Sequence, residues 1–236
     1  MLKKYNPGIE IYGLYGFADR RIYLEAKRSL RDEIIGIYYN KKKTKEWYKR
    51  NFDLATRDWF MNFGKEIDFD VLHIIEWDML LFDSIEKLYS KVPESGVGLT
   101  GLRPIKEVEA IWDRTAEEPD RSLWKGFLSL VRKKYNYKGE PYGCIGPGTT
   151  LPREFLEEYS RVNPPETVHD ELRVPVFAQI LGFKLYDTGF YPKWCDKKVQ
   201  ETFNALPVEI KLSVIKRELL KKNGKRIFHP YYRVWR

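Results

Sequence analysis

An α/β fold, a sheet flanked by helices, is predicted by three observations. Segments of strand and helix periodicity alternate from the start of the chain, over residues 9–16, 18–32, 34–39, 47–63 and 71–78. Glycine or proline punctuates the junctions, as at Gly64, Pro104 and Gly182. The apolar run Val71-Leu72-His73-Ile74-Ile75 then breaks into two acids, Glu76 and Asp78, in the position where a buried strand of an open α/β sheet leaves the core. With 236 residues, 43% hydrophobic and 32% charged, the chain can bury a sizeable core, so residues 1–236 are expected to form a single domain.

Each element follows from local chemistry. Ile9-Glu10-Ile11-Tyr12-Gly13-Leu14-Tyr15-Gly16 alternates β-formers with glycines and reads as a strand running into a glycine-bearing loop. A nucleotide could lie over Gly13, Tyr15 and Gly16; a plain turn is the alternative, since no G-x-G-x-x-G or phosphate-loop pattern follows. A charged helix (18–32), a strand (34–39) and a basic loop (40–45) come next. Trp47, Phe52, Ala55, Trp59 and Phe63 recur at helical spacing, which predicts one long helix ending near Gly64 with its aromatics in the core. His73 is expected to pack within the strand that follows. Asp83 or Ser84 caps a short helix over 83–89, residues 97–102 form a strand or turn, and the proline-interrupted stretch 103–120 is a surface excursion.

A helix over 122–135 leads to Tyr142-Gly143-Cys144-Ile145-Gly146-Pro147-Gly148-Thr149-Thr150, read as a glycine-rich turn before a helix at 153–160. Close approach of backbone to a ligand and a tight connection both account for its glycines. His169-Asp170-Glu171 opens a helix with Val174, Phe177, Ile180 and Leu181 on one side, stopping at Gly182. Pro175 is tolerable only in a first turn, so the helix proper is expected to begin a few residues later. A short strand (183–186) and an amphipathic, basic helix (206–222) complete the chain.

Composition excludes several classes. No apolar run approaches the length needed to cross a bilayer, and the first residues lack a signal-peptide segment, so a cytoplasmic location is expected. Cys144 and Cys195 stand outside any zinc spacing or disulfide framework. The +8 formal charge suits nucleic acid, an anionic membrane surface or a small anionic substrate. Glutamine occurs only at Gln179 and Gln200 while Lys, Glu, Tyr and Ile abound, a balance expected of a heat-adapted chain.

The acids carry the sharpest chemistry. In an extended strand, residues i and i+2 share a side, so Glu76 and Asp78 can converge on one cation while Trp77 faces away. Two carboxylates suit Mg2+ or Mn2+ bridged to a diphosphate.

Four motifs in order now carry a resemblance: the D-x-D-like Glu76-Trp77-Asp78, the glycine-rich stretch before a helix (Gly143 to Thr150), the acid-bearing helix start His169-Asp170-Glu171 and the late His229-Pro230. Together they resemble the nucleotide-sugar glycosyltransferases of the GT-A fold. The resemblance implies a Rossmann-like fold with a mixed central sheet, a Mn2+ or Mg2+ cofactor, and transfer of a hexosyl-like sugar from a nucleotide-diphosphate donor to a glycan, lipid or protein. It implies Asp78 as direct metal ligand, Glu76 near the ribose or a metal-bound water, and His229 as third ligand or diphosphate contact. Gly146 and Gly148 would face the donor. Asp170, and after it Glu171, would take the acceptor hydroxyl proton if the reaction inverts configuration. Such enzymes begin with a strand, a helix and a second strand, and few residues precede Ile9, so the first unit is expected to be shortened. Gly13, Tyr15 and Gly16 would line the base pocket, with Asp53 or Asp58 reading a base edge.

Two rival classes use the same residues. A metal-dependent nuclease or phosphodiesterase would also employ paired carboxylates with Mg2+, although no lysine closely follows a second acid. A non-catalytic nucleic-acid-binding protein would use Lys41, Lys42, Lys43, Lys45, Lys49 and Arg50 with the abundant Tyr and Trp; interspersed acids argue for a solvated loop, and no nucleic acid is expected as partner. The basic helix at 206–222 reads first as a solvated amphipathic helix, with peripheral membrane contact as the alternative.

Overall fold

The computed structural model of the chain describes residues 2–16, 19–40, 43–191 and 200–233. After a single helical turn, α1 (Leu2–Tyr5), strand β1 (Tyr12–Leu14), helix α2 (Arg20–Ser29) and strand β2 (Gly36–Tyr38) form a β-α-β unit with β1 and β2 parallel. Asp19 caps α2, its Oδ1 accepting the Arg21 N–H at 2.8 Å.

The long helix expected over 47–63 is instead two, α3 (Lys45–Arg50) and α4 (Phe52–Asn62). Asn51 leaves the helical region at φ −134°, and its side chain donates to the Trp47 carbonyl at 2.9 Å. Because apolar spacing runs straight across this break, periodicity is blind to it.

Four strands build the main sheet: β3 (Val71–His73), β5 (Val97–Pro104), β6 (Tyr142–Pro152) and β7 (Leu185–Asp187), in the order β3-β6-β5-β7. The β3/β6 and β5/β6 pairs are antiparallel and β5/β7 is parallel, so the sheet is mixed. Strand β4 (Leu80–Leu81) pairs separately with β8 (Ile227–Phe228). Helices α5 (Ile85–Leu88), α6 (Ile105–Val108), α7 (Asp113–Ala116), α8 (Asp120–Tyr135), α9 (Arg153–Arg161), α10 (Asp170–Ile180) and α11 (Leu212–Leu220) fill the connections. The fold is α/β with a mixed sheet flanked by helices, compatible with a Rossmann-like arrangement.

Several expectations need correction. The strand expected through Asp78 ends at His73, with one further ladder bond from Ile74 N–H to the Thr149 carbonyl at 2.8 Å. The glycine-rich stretch is no turn but the middle of β6. Gly98 and Thr100 of β5 face Thr150 and Ile145, so residues 146–149 bulge out of the ladder. Residues 103–120 are no mere surface excursion, because Ile105, Val108 and Trp112 are buried in the core. The late helix spans only Leu212–Leu220.

Helix α10 starts at Asp170 and carries Pro175 in its interior, contrary to expectation. The carbonyl such a proline leaves without its amide partner is that of residue i−4, Glu171. Here the Cys144 thiol donates to it at 3.4 Å. Rather than one apolar side, α10 is buried nearly all round, which spreads its hydrophobic contacts over β6 and α4.

The main core joins Leu54, Trp59 and Phe60 of α4 to Trp124 and Phe127 of α8, Phe155 and Tyr159 of α9, and Phe177 of α10. At its edge sits Arg173, wholly buried (0% exposed). Its Nε donates to Asp53 Oδ2 at 2.8 Å and its Nη2 to Asp53 Oδ1 at 2.5 Å; the remaining N–H groups reach the carbonyls of Pro165 (3.1 Å) and Val168 (2.6 Å) and Asn51 Oδ1 (3.0 Å). Every guanidinium donor thus finds an acceptor, which is the condition for burying a charge. The pair ties the α3/α4 break to the start of α10.

Candidate metal centre

Glu76 and Asp78 sit on a tight turn after β3, closed by the Met79 N–H donating to the Glu76 carbonyl at 3.0 Å. The turn, rather than strand alternation, brings the carboxylates to one side and leaves Trp77 76% exposed. A second backbone clamps the turn, the Tyr231 N–H donating to the Asp78 carbonyl at 2.8 Å. This delivers His229, some 150 residues away in sequence, with its Nε2 3.5 Å from Asp78 Oδ1 and 3.6 Å from Glu76 Oε2. One ligand atom from each of the three lies within 4.8 Å of the others.

Two further details fit a cation. Asp78 is buried (7% exposed) and its Oδ1 has no closer donor than His229 Nε2 at 3.5 Å, which leaves room for a cation between them. The His229 Nδ1 lies 2.7 Å from the Asn204 carbonyl, which can only accept, so Nδ1 carries the proton and a neutral ring aims its Nε2 lone pair at the acids. Two carboxylates with one imidazole suit Mn2+ better than Mg2+, which prefers all-oxygen shells. Metal-free, the acids hold a second proton on the ring. Burial pulls the His229 pKa down, but the hydrogen bonds and charges of Asp78 and Glu76 outweigh it, lifting the value from 6.5 to about 9.

The β6 bulge borders this cluster. A Cβ placed on Gly146 would lie 3.7 Å from Glu76 Oε1, and the Gly146 N–H donates to Glu171 Oε1 at 3.3 Å. The two carboxylates flank one residue, roughly 10 Å apart at most. A small cavity of about 30 Å³, with room for a water or a hydroxyl, is lined by Ile74, Cys144, Gly146, Thr149 and Glu171.

The two acids of α10 differ. Asp170 is engaged on both oxygens: Oδ2 accepts the Phe52 N–H (3.1 Å), and Oδ1 the Glu171 N–H (2.9 Å) and His169 Nδ1 (2.5 Å). Burial pushes its pKa up, but the His169 charge and hydrogen bond prevail and hold it low. Glu171 has Arg114 Nε at 3.4 Å and His169 Nδ1 at 3.3 Å, yet burial dominates and raises its pKa. A poised, proton-accepting carboxylate is therefore Glu171, while Asp170 anchors the helix start.

Other expected residues lie elsewhere. A Cβ on Gly13 would meet Ile37 of β2 at 3.1 Å and one on Gly16 would meet Tyr48 of α3 at 3.2 Å, so both glycines serve close packing. Tyr15 is buried with its hydroxyl on the Asp19 carbonyl (2.8 Å) and its ring against Tyr39. Gly148, at φ +83°, seats its backbone against Phe190, which a Cβ would approach to 2.9 Å. Asp53 is committed to Arg173, and Asp58 accepts from Tyr38 and Asn40, each at 2.7 Å. Lys41, Lys42 and Cys195 lie outside the described residues. Asn204 and Arg114 escaped the sequence, since nothing in local pattern marks a distant carbonyl or counter-ion, whereas Gly146, expected to face the donor, does lie beside Glu76.

The class that fold and site define is an α/β protein with a candidate two-carboxylate, one-histidine metal centre at the edge of a mixed sheet. No protein-family model, curated protein or solved structure matches the chain.

Proposed function

We propose that the protein is a Mn2+- or Mg2+-dependent glycosyltransferase of GT-A type that moves a sugar from a nucleotide-diphosphate donor. The observation that carries this reading is the convergence of Glu76, Asp78 and His229 around a buried Asp78 oxygen, beside a glycine bulge that separates them from a carboxylate of raised pKa. A bound divalent ion would supply charge neutralisation for the departing diphosphate. The chain's residues do the rest. Asp78 and Glu76 would hold the ion with His229, whose ring the Asn204 carbonyl orients. Bare backbone at Gly146 admits substrate close to Glu76.

In an inverting transfer, Glu171 takes the acceptor hydroxyl proton as the hydroxyl oxygen bonds to the anomeric carbon and the bond to the diphosphate breaks. His169 and Arg114 stabilise Glu171 as carboxylate between turnovers, and Asp170 fixes the helix that presents it. Retention of configuration would remove this base role and leave the acids orienting substrate.

The test is a thermal-shift panel of UDP, GDP, ADP and their sugars, with and without Mn2+, on wild type and Asp78→Ala. Stabilisation requiring both nucleotide and metal, and lost in the variant, supports the reading and names the donor. With the donor in hand, Glu171→Gln is expected to slow transfer about 10²- to 10⁴-fold without altering the metal shift. Stabilisation by short DNA or RNA in place of nucleotides would overturn the transferase reading in favour of a nucleic-acid partner, met either by phosphodiester chemistry on the same acids or by binding alone.

A further inference from the structure

Helix α11 turns an unusual face to solvent. Ile215 and Glu218 are its buried positions, with Val214 and Leu219 packed beside them on Phe82, Phe228 and Tyr231. On the opposite face Ser213, Lys216, Arg217 and Leu220 are exposed, while Leu212, 38% exposed, sits at the rim beside the packed Leu219. Leu220 is 89% exposed. The preceding extended segment adds Leu206, 62% exposed, and Val208.

The same surface reaches the candidate metal centre. Segment 206–210 runs against the His229 strand, with the Ile210 N–H on the Pro230 carbonyl at 2.9 Å and the Tyr232 N–H on Glu209 Oε1 at 3.2 Å. The Tyr232 ring lies 5.7 Å from that of Trp77, so an exposed aromatic pair stands on the turn that carries Glu76 and Asp78.

Charge selects the occupant. Residues 206–226 hold seven Lys or Arg against two Glu. Both acids are already engaged, Glu209 by Arg233 (3.4 Å) and Glu218 by Lys221 (2.6 Å). Lys211, Lys216, Lys222 and Lys225 remain exposed around the leucines. Exposed leucines among lysines, bordered by a Trp–Tyr pair, match an anionic lipid surface, where apolar side chains enter the acyl boundary, cations meet headgroup phosphates and aromatics sit between. Among the described residues no helix is long and apolar enough to cross a membrane, so contact would be peripheral.

We propose that this face docks the protein on an anionic bilayer and holds the Glu76–Asp78–His229 group at the membrane surface. The docking stands apart from the transferase reading; only its corollary, a lipid-borne acceptor, rests on that reading.

The experiment is co-sedimentation of the full chain with phosphatidylcholine vesicles, with and without phosphatidylglycerol, at low and high salt. Binding is expected only to the anionic vesicles and to weaken with salt. Leu206→Glu and Leu220→Glu, both at exposed positions, should each lower vesicle affinity about tenfold or more, with unchanged circular dichroism and an unchanged Mn2+ thermal shift. No binding at low salt overturns the proposal. Binding that ignores both leucine changes, or leucines hidden in a dimer detected by sedimentation velocity, overturns it equally. A lost Mn2+ shift with vesicle binding intact would instead sink the metal-site reading alone.

Discussion

Raising the pH across the His229 titration should move stability and metal affinity in opposite directions. In the metal-free folded protein this imidazole titrates at about 9, against 6.5 for an ordinary histidine. Between those values the folded state binds a proton that the unfolded chain has released. Stability from this group is therefore complete below pH 6.5 and is lost as pH rises toward 9, by about 1.4 kcal/mol per pH unit and about 3 kcal/mol in all. A divalent ion needs the Nε2 lone pair and must displace that proton. Its apparent affinity should climb about tenfold per pH unit and level off near 9.

The assay is urea unfolding from about pH 6.5 to 8.5, in chelator and at fixed Mg2+ or Mn2+. At low pH the two curves should nearly coincide. At the upper end, metal at a hundredfold excess over Kd should add about 2.7 kcal/mol, roughly 5–10 °C in Tm. Groups remote from the site contribute equally to both arms and cancel in the difference. His229→Gln removes the titrating group and should abolish the divergence. Parallel pH slopes with and without metal, or a divergence that survives His229→Gln, would refute the assignment of Nε2 as ligand.

Three other outcomes follow from packing and charge. Burial lowers the His73 pKa to about 4 while its Nδ1 lacks a partner and its ring packs 4.5 Å from Tyr89; stability should thus fall by about 1.4 kcal/mol per unit as pH drops from 6.5 toward 4, and His73→Phe should flatten that limb in acid urea titrations at little cost near neutrality. Arg173→Met leaves the Asp53 carboxylate buried without its partner and should cost about 3–5 kcal/mol by urea unfolding, most of it recovered in Arg173→Met/Asp53→Leu. Gly148→Ala forces a side chain onto φ +83° and into Phe190 and should cost about 1–3 kcal/mol; Gly146→Ala meets only Glu76 Oε1 at 3.7 Å and should leave the Tm nearly unchanged while weakening Mn2+ stabilisation.

The legible parts of this fold are those written in short-range pattern. The alternation of apolar runs announced an α/β chain, and Ser84 and Gly182 marked helix ends where local chemistry decides. Glu76 and Asp78 stood out because two acids abut an apolar run, and they do converge, although on a turn instead of a strand. Three other features depended on partners far along the chain. Asn51 breaks a helix whose apolar spacing continues, because its side chain is used by Arg173, 122 residues on. Pro175 survives inside α10 because Cys144 of another element takes up the freed carbonyl. Gly143 to Gly148 reads as a turn because glycines punctuate the pattern, and only pairing with β5 shows it to be a bulge inside a strand. His229 entered through family resemblance alone, since no spacing rule links it to residues 76 and 78.

The thiol beneath Pro175 also gives the molecule a built-in gauge of breathing. Cys144 is buried and its pKa is pushed well above the ordinary thiol value by burial, reinforced by the nearby acids, so a thiol reagent finds neither access nor thiolate while α10 rests on β6. Modification at Cys144 then requires the seam between α10 and β6 to open, and its rate in a Cys195→Ser background reads the free energy of that opening. The same seam positions Glu171 beside Gly146, so the clock that times exposure of one sulfur also times how often the proposed proton acceptor loses its place.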